Sequence, residues 1–203
     1  MEDNIKSLLK FPSDFSEDGL KDLAQEIMNN ICISNGRHKY QLLEIEFYLY
    51  LKDVSENEER HADEHVYARD AEAGQFFLHQ MGIDICFDSS MSEGRFGGIL
   101  IRAIQREDGQ CFGGPRICSY ELINTATKLC TIEKSEEKSS YLVDTSPRIG
   151  IKDWSDSESK WEDKYYNKSY RFVRQGLKEI KTDVKKYDFI DTKPKTQNKT
   201  YKF

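Results

Sequence analysis

Residues 42–51 read LLEIEFYLYL, and their alternation sets carboxylates and phenols on one side of a strand. Leu43, Ile45, Phe47, Leu49 and Leu51 point one way, while Glu44, Glu46, Tyr48 and Tyr50 point the other. The apolar set suffices to bury its own face against a core. The opposite face then carries a carboxylate beside flat aromatic surfaces on a rigid element, which can place a general base next to a stacked ring. The same pattern also fits the solvent side of an amphipathic antiparallel strand.

Arg102 lies inside ILIRAI, where Ile99, Ile101 and Ala103 alternate with Leu100, Arg102 and Ile104. A charge in so apolar a strand needs a partner. A structural salt bridge would satisfy it. So would a pairing with Glu46 that keeps the glutamate ionised and fixes a water between them. His61, Asp63 and His65 in HADEH offer two imidazoles and a carboxylate, a plausible zinc set. That spacing is not specific and the loop is rich in charges of both signs, so no metal and no cofactor is expected. The sequence has no Ser-His-Asp signature, Walker loop or dinucleotide fingerprint. GRFGG at 94–98 lacks the strand-to-helix context of a phosphate loop.

Several elements must position these groups. Ser16 can cap a helix whose apolar positions Leu20, Leu23, Ala24, Ile27, Met28 and Ile31 recur at helical spacing. Asn35-Gly36 signals a turn before the first strand, and 53–63 reads as a charged loop. Residues 75–87 read as a strand, or a strand pair broken near Met81-Gly82. Gly97-Gly98 opens ILIRAI, and Gly113-Gly114-Pro115 precedes a helix through about Leu129. A polar loop at 133–140 and short strands at 147–151 and 169–174 follow. Non-adjacent strands with few helices argue for an α+β fold: a single compact domain whose curved, mostly antiparallel sheet is flanked by helices.

The chain has 203 residues, 37% hydrophobic and 12% aromatic, which fits one domain with a sizeable core. That domain is expected over 1–180, with a basic, mobile tail over 181–203. No apolar run reaches the ~20 residues that cross a bilayer, and the acidic start MEDNIKSLLKFPSDF has no signal-peptide character. The five cysteines include no CxxC pair, as in a reduced, cytoplasmic protein. The net charge of −6 hides an asymmetry. From 160 to 203, 13 lysines and arginines face 6 acids, a balance of +7; the rest carries 17 against 30, a balance of −13. Such a tail could clamp a polyanion, or be a solvated terminus.

The ordered set EIEFYLY (44–50), DEHVYAR (63–69), GIDICFDSS (82–90), GGILIRAI (97–104), GGP (113–115), SPRIGI (146–151) and YRFVR (170–174) resembles the alkyladenine (3-methyladenine) DNA glycosylase family. The resemblance spans about residues 40–174. It implies a compact α+β domain that flips a damaged nucleotide out of DNA and cleaves its N-glycosidic bond. By this resemblance Glu46 activates the attacking water, Arg102 helps hold it, and the backbone around Ile149 supplies a third contact. Tyr48 would stack on the flipped base, and His65 would bound the pocket, with His61 an alternative. Glu44 shares the face of Glu46 but lies outside the matched position, so its exchange for Gln is expected to cost far less.

Departures from the family pattern are specific. Asp88 stands where the family has an asparagine that disfavours the exocyclic amine of guanine. Met81 replaces an intercalating tyrosine, still an apolar wedge. A second stacking tyrosine falls near Leu78, with Phe76 or Phe77 the nearest substitutes. GGPRI replaces GPGKL, putting Arg116 where a glycine is usual. The expected function is excision of a modified purine from DNA by a monomeric enzyme. A hydrolase of a small nucleoside or nucleotide is one alternative; a non-catalytic binding protein, with Glu46 and Arg102 an internal ion pair, is another. A basic groove from Arg95, Arg116, Arg148, Arg171 and Arg174 converging on Glu46 would favour DNA.

Overall fold

One long strand organises the molecule. The computed structural model describes residues 2–53, 58–136, 140–153, 155 and 164–177. Helices α1 (Glu2–Leu8) and α2 (Glu17–Asn30) lead into β1 (Ile31–Ser34) and the 15-residue β2 (Lys39–Asp53). Then come β3 (Glu58–Ala62), β4 (Phe76–His79), β5 (Gly82–Cys86), β6 (Arg95–Arg106) and β7 (Cys111–Gly113). The last elements are α3 (Pro115–Asn124), β8 (Thr131–Lys134), β9 (Val143–Ser146) and β10 (Arg171–Arg174).

All described strand pairings are antiparallel. One edge of β2 pairs with β6 from Tyr40 to Leu51, and its other edge takes β1, β10 and β3 in turn. A strand that changes neighbours along its length must twist and bend, and the sheet curls into half a barrel. The result is a single α+β domain with few helices.

Helix α2 lies on one face of this sheet. The Ser16 hydroxyl caps it by accepting the Gly19 N–H at 3.0 Å, as its sequence position suggests. Its buried side, Leu20, Ala24, Ile27 and Met28, shares one core with Ile45, Phe47, Leu49, Ile99, Ile101 and Phe172. Phe47 meets Phe87 edge-on at 5.5 Å and Phe172 at 4.8 Å, which locks β2, β10 and the chain after β5 together.

Several expected boundaries move. Helix α2, expected to include Ile31, ends at Asn30 because the β-branched Ile31 and Ile33 begin a strand held between β2 and β8. Residues 58–62 of the expected charged loop pair with the end of β2. The helix expected to reach Leu129 stops at Asn124. There the Asn35 amide donates to the Leu122 carbonyl (3.1 Å) and the Thr125 hydroxyl (2.8 Å), and the Asn35 carbonyl accepts from Thr127 and Lys128. The expected strand at 147–151 is irregular chain, its strand lying earlier as β9. The tail 181–203 lies outside the described residues. No helix of the described residues is long and apolar enough to cross a membrane.

Candidate functional site

Directly paired residues of antiparallel strands project to the same face, so register alone assembles a row. Phe77 pairs with Asp84, Asp84 with Leu100, Leu100 with Glu46, Glu46 with Arg171 and Arg171 with Ser146. The next row holds Cys86, Gly98 and Tyr48. A carboxylate at the centre of the sheet is thus flanked by rings and charges drawn from several strands.

The alternation read from 42–51 holds from Ile45 onward and breaks before it. The β2–β6 register shifts on both sides of Glu44, so that Leu43 and Arg102 are stepped over in the pairing. Leu43 turns away from Ile45 into a second small core with Ala103, Cys111, Val173 and Leu177. Ala103 leaves the expected set of Ile99 and Ile101 in the same way, and Ile104 joins the main core. A matched irregularity on both strands lets each change face without opening the ladder. Leu51, expected in the core, is only half-buried, where the β2–β3 register shifts.

Arg102 therefore leaves β6 at an irregular step and reaches across to β2. Its Nη1 lies 3.2 Å from Glu46 Oε1 and donates to the Ile149 carbonyl at 3.4 Å. The Ile149 N–H donates to the same Glu46 oxygen at 2.8 Å, and the Tyr48 hydroxyl donates to Oε2 at 2.9 Å. Glu46 is fully buried. Burial by itself would lower the Arg102 guanidinium, but the Glu46 and Glu44 carboxylates outweigh it and hold it above its ordinary value. Burial and the charge of Glu46 push the Tyr48 phenol well up, so it remains a donor. The arrangement sets a fully buried carboxylate among three donors, where it can take a proton or offset developing positive charge.

Further buried ion pairs frame this centre. Glu44, also buried, takes Arg102 Nε at 2.8 Å and Arg171 Nε at 2.7 Å on one oxygen. Arg148 donates to both oxygens of Asp63, at 2.6 and 3.2 Å, and to the Phe47 and Tyr165 carbonyls. Its guanidinium carbon lies 4.6 Å from the Tyr48 ring centre, so one face of that ring rests on a cation. On the other side of the row, Asp84 accepts from Arg69 (2.8 Å) and contacts His79 (3.0 Å). Arg69 lies 4.5 Å from the Phe77 ring centre. A Cβ at Gly98 would come within 2.6 Å of Arg69 Nη2, so the glycine is what lets Arg69 lie against the sheet.

The structure brings Glu46, Arg102, Ile149 and Tyr48 together, with Phe77 at the far end of the row. His65 is half-buried in the chain after β3, its N–H bonded to Asp63 Oδ1. Met81 is exposed at the β4–β5 turn. Asp88 is set apart: it pairs with Arg95 at 3.3 Å, and its N–H bonds the Leu9 carbonyl. His61 packs in the main core against Phe15 (4.6 Å) and Tyr165 (4.6 Å), and Asp63 is spent on Arg148, so the zinc set does not converge. Of the expected basic groove, Arg148, Arg171 and Arg174 are buried, and Arg116 donates to the Gln80 carbonyl. The pairs Asp84–Arg69 and Glu44–Arg171 escaped the sequence reading. Asp84 carried the signal that exposed Arg102, a charge inside an apolar run.

No family model matches the chain. The chain is similar to the uncharacterized protein L759 of Acanthamoeba polyphaga mimivirus, 27% identical over 216 residues that cover 85% of this chain and 94% of the relative.

Proposed function

We propose that this protein hydrolyses an N-glycosidic bond in the manner of the alkyladenine DNA glycosylases, with a modified purine in DNA as the substrate class. The observation that carries this reading is the meeting of Glu46 with Arg102 at 3.2 Å and the Ile149 N–H at 2.8 Å, beside Tyr48. In this mechanism Glu46 takes a proton from the attacking water. The water oxygen bonds the anomeric carbon, and the base leaves with the electron pair of the broken C–N bond. The carboxylate also offsets the oxocarbenium-like charge of the transition state. In this mechanism Tyr48, with Arg148 against its ring, stacks on the flipped base.

A second reading is a non-catalytic binding protein in which this centre is an internal ion network. It is favoured by the zero exposure of Glu46 and by the three donors already on it. The deciding experiment incubates the protein with oligonucleotides bearing a panel of modified bases, and with free nucleosides, and follows base release by mass spectrometry. The nucleosides belong in the screen because Arg148, Arg171 and Arg174 are buried rather than arrayed for phosphates. Glu46-dependent release supports the hydrolase; no release from any member favours the binding protein.

A further inference from the structure

We infer that Glu44 is the positioning residue of this site, because its one carboxylate sets the two groups that hold Glu46 Oε1, Arg102 and the Ile149 N–H. Its Oε1 accepts from Arg102 Nε at 2.8 Å and from Arg171 Nε at 2.7 Å. With the Nε edge of Arg102 pinned on Glu44, Nη1 is left to meet Glu46 Oε1 and the Ile149 carbonyl. The second arm runs through Arg171, whose Nη1 donates to Ser146 Oγ at 3.1 Å. Ser146 ends β9, just before the irregular chain that lays the Ile149 N–H on Glu46. Both restraints on Glu46 Oε1 therefore trace back to Glu44, while Tyr48 holds Oε2 independently.

Charge balance points the same way. Glu44 and Glu46 face Arg102 and Arg171 in a buried setting. Without the charge of Glu44, both guanidiniums would lose a buried carboxylate partner, and removing one partner of a buried ion pair is costly. Arg102 would turn toward Glu46 and leave the Ile149 carbonyl. The catalytic consequence rests on the reading of Glu46 as the water-activating base; the geometric part does not. Such a role departs from the expectation that Glu44→Gln costs far less than Glu46→Gln because Glu44 lies outside the matched position.

The test is solution NMR of the full chain, following the Ile149 amide proton and the Arg102 Nε–H in the parent, Glu44→Gln, Glu44→Asp and the exposed control Glu136→Gln. In Glu44→Gln the Ile149 amide is expected to move upfield and to exchange with solvent about 10-fold faster or more. Glu44→Asp keeps the charge and restores part of both signals, and it serves alone if Glu44→Gln does not fold. The control leaves them unchanged. A folded Glu44 variant that melts earlier but keeps the parent's Ile149 and Arg102 signals would make Glu44 a stabilising residue only and overturn the inference. On any substrate found by the base-release screen, Glu44→Gln should lower kcat about 10²-fold with KM kept. A raised KM with kcat unchanged would overturn the catalytic part. If the screen finds no substrate, the hydrolase reading fails while the NMR result still decides the role of Glu44.

Discussion

Leu43 on β2 and Arg102 on β6 are the residues stepped over where the two longest strands change register. One sends an apolar side chain into a second core, and the other sends a guanidinium toward Glu46. The irregularity that spoils the alternation is also what aims the arginine.

Glu46→Gln should abolish turnover on a confirmed substrate while the fold and ligand binding persist. The amide keeps the size and one acceptor of the carboxylate but takes no proton from water. General-base catalysis is typically worth about 10²–10⁴-fold, so rates of base release separate the variant clearly from the parent. Equal rates would remove Glu46 from the mechanism.

Gly98→Ala should destabilise the domain by about 1–3 kcal/mol, as overpacking does. The added Cβ would meet Arg69 Nη2 at 2.6 Å and Asp84 Oδ2 at 3.0 Å, and Arg69 is fixed by Asp84 and Phe77. In an Arg69→Ala background the same substitution should cost much less, a coupling that denaturant midpoints of the four proteins would measure. Additive losses would show that the clash lies elsewhere.

Acid should weaken the fold through His61. Burial holds its imidazole down to about 4 from an ordinary 6.5, with Asp63 opposing and Arg148 and Lys168 assisting. Its Nε2 has no hydrogen-bond partner among the described residues. Between those two values the unfolded chain binds a proton that the folded chain does not, so stability falls as pH drops through that window. The loss should be on the order of 2 kcal/mol, and His61→Phe should flatten it. Urea midpoints at pH 7 and pH 5 decide the matter; parallel slopes in parent and variant would clear His61.

DNA affinity should be weak and steeply salt-dependent, with the +7 segment from 160 onward supplying much of it. Burial of Arg148 and Arg171 in internal pairs leaves fewer cations for phosphates. Truncation after Arg174 should lower both the affinity and its salt slope in fluorescence titrations. Unchanged binding would mark the tail as a solvated terminus.

Local chemistry was enough to read the helix cap at Ser16, the apolar face from Ile45 to Leu49, the need of Arg102 for a partner and an α+β domain around an antiparallel sheet. Each depends on residue type and period over a few positions, which a chain carries with it. Tertiary structure decided the rest. Whether Leu43 or Leu42 enters the main core depends on a register shift that needs both strands, and only the pairing of β10 with β2 brings Arg171 to Glu44. The burial of Arg148 likewise waits on Asp63, 85 positions away. Period-two patterning specifies which way a side chain leaves its own strand, but a buried charge is stable only where distant segments supply its counter-charge, and that is settled by packing.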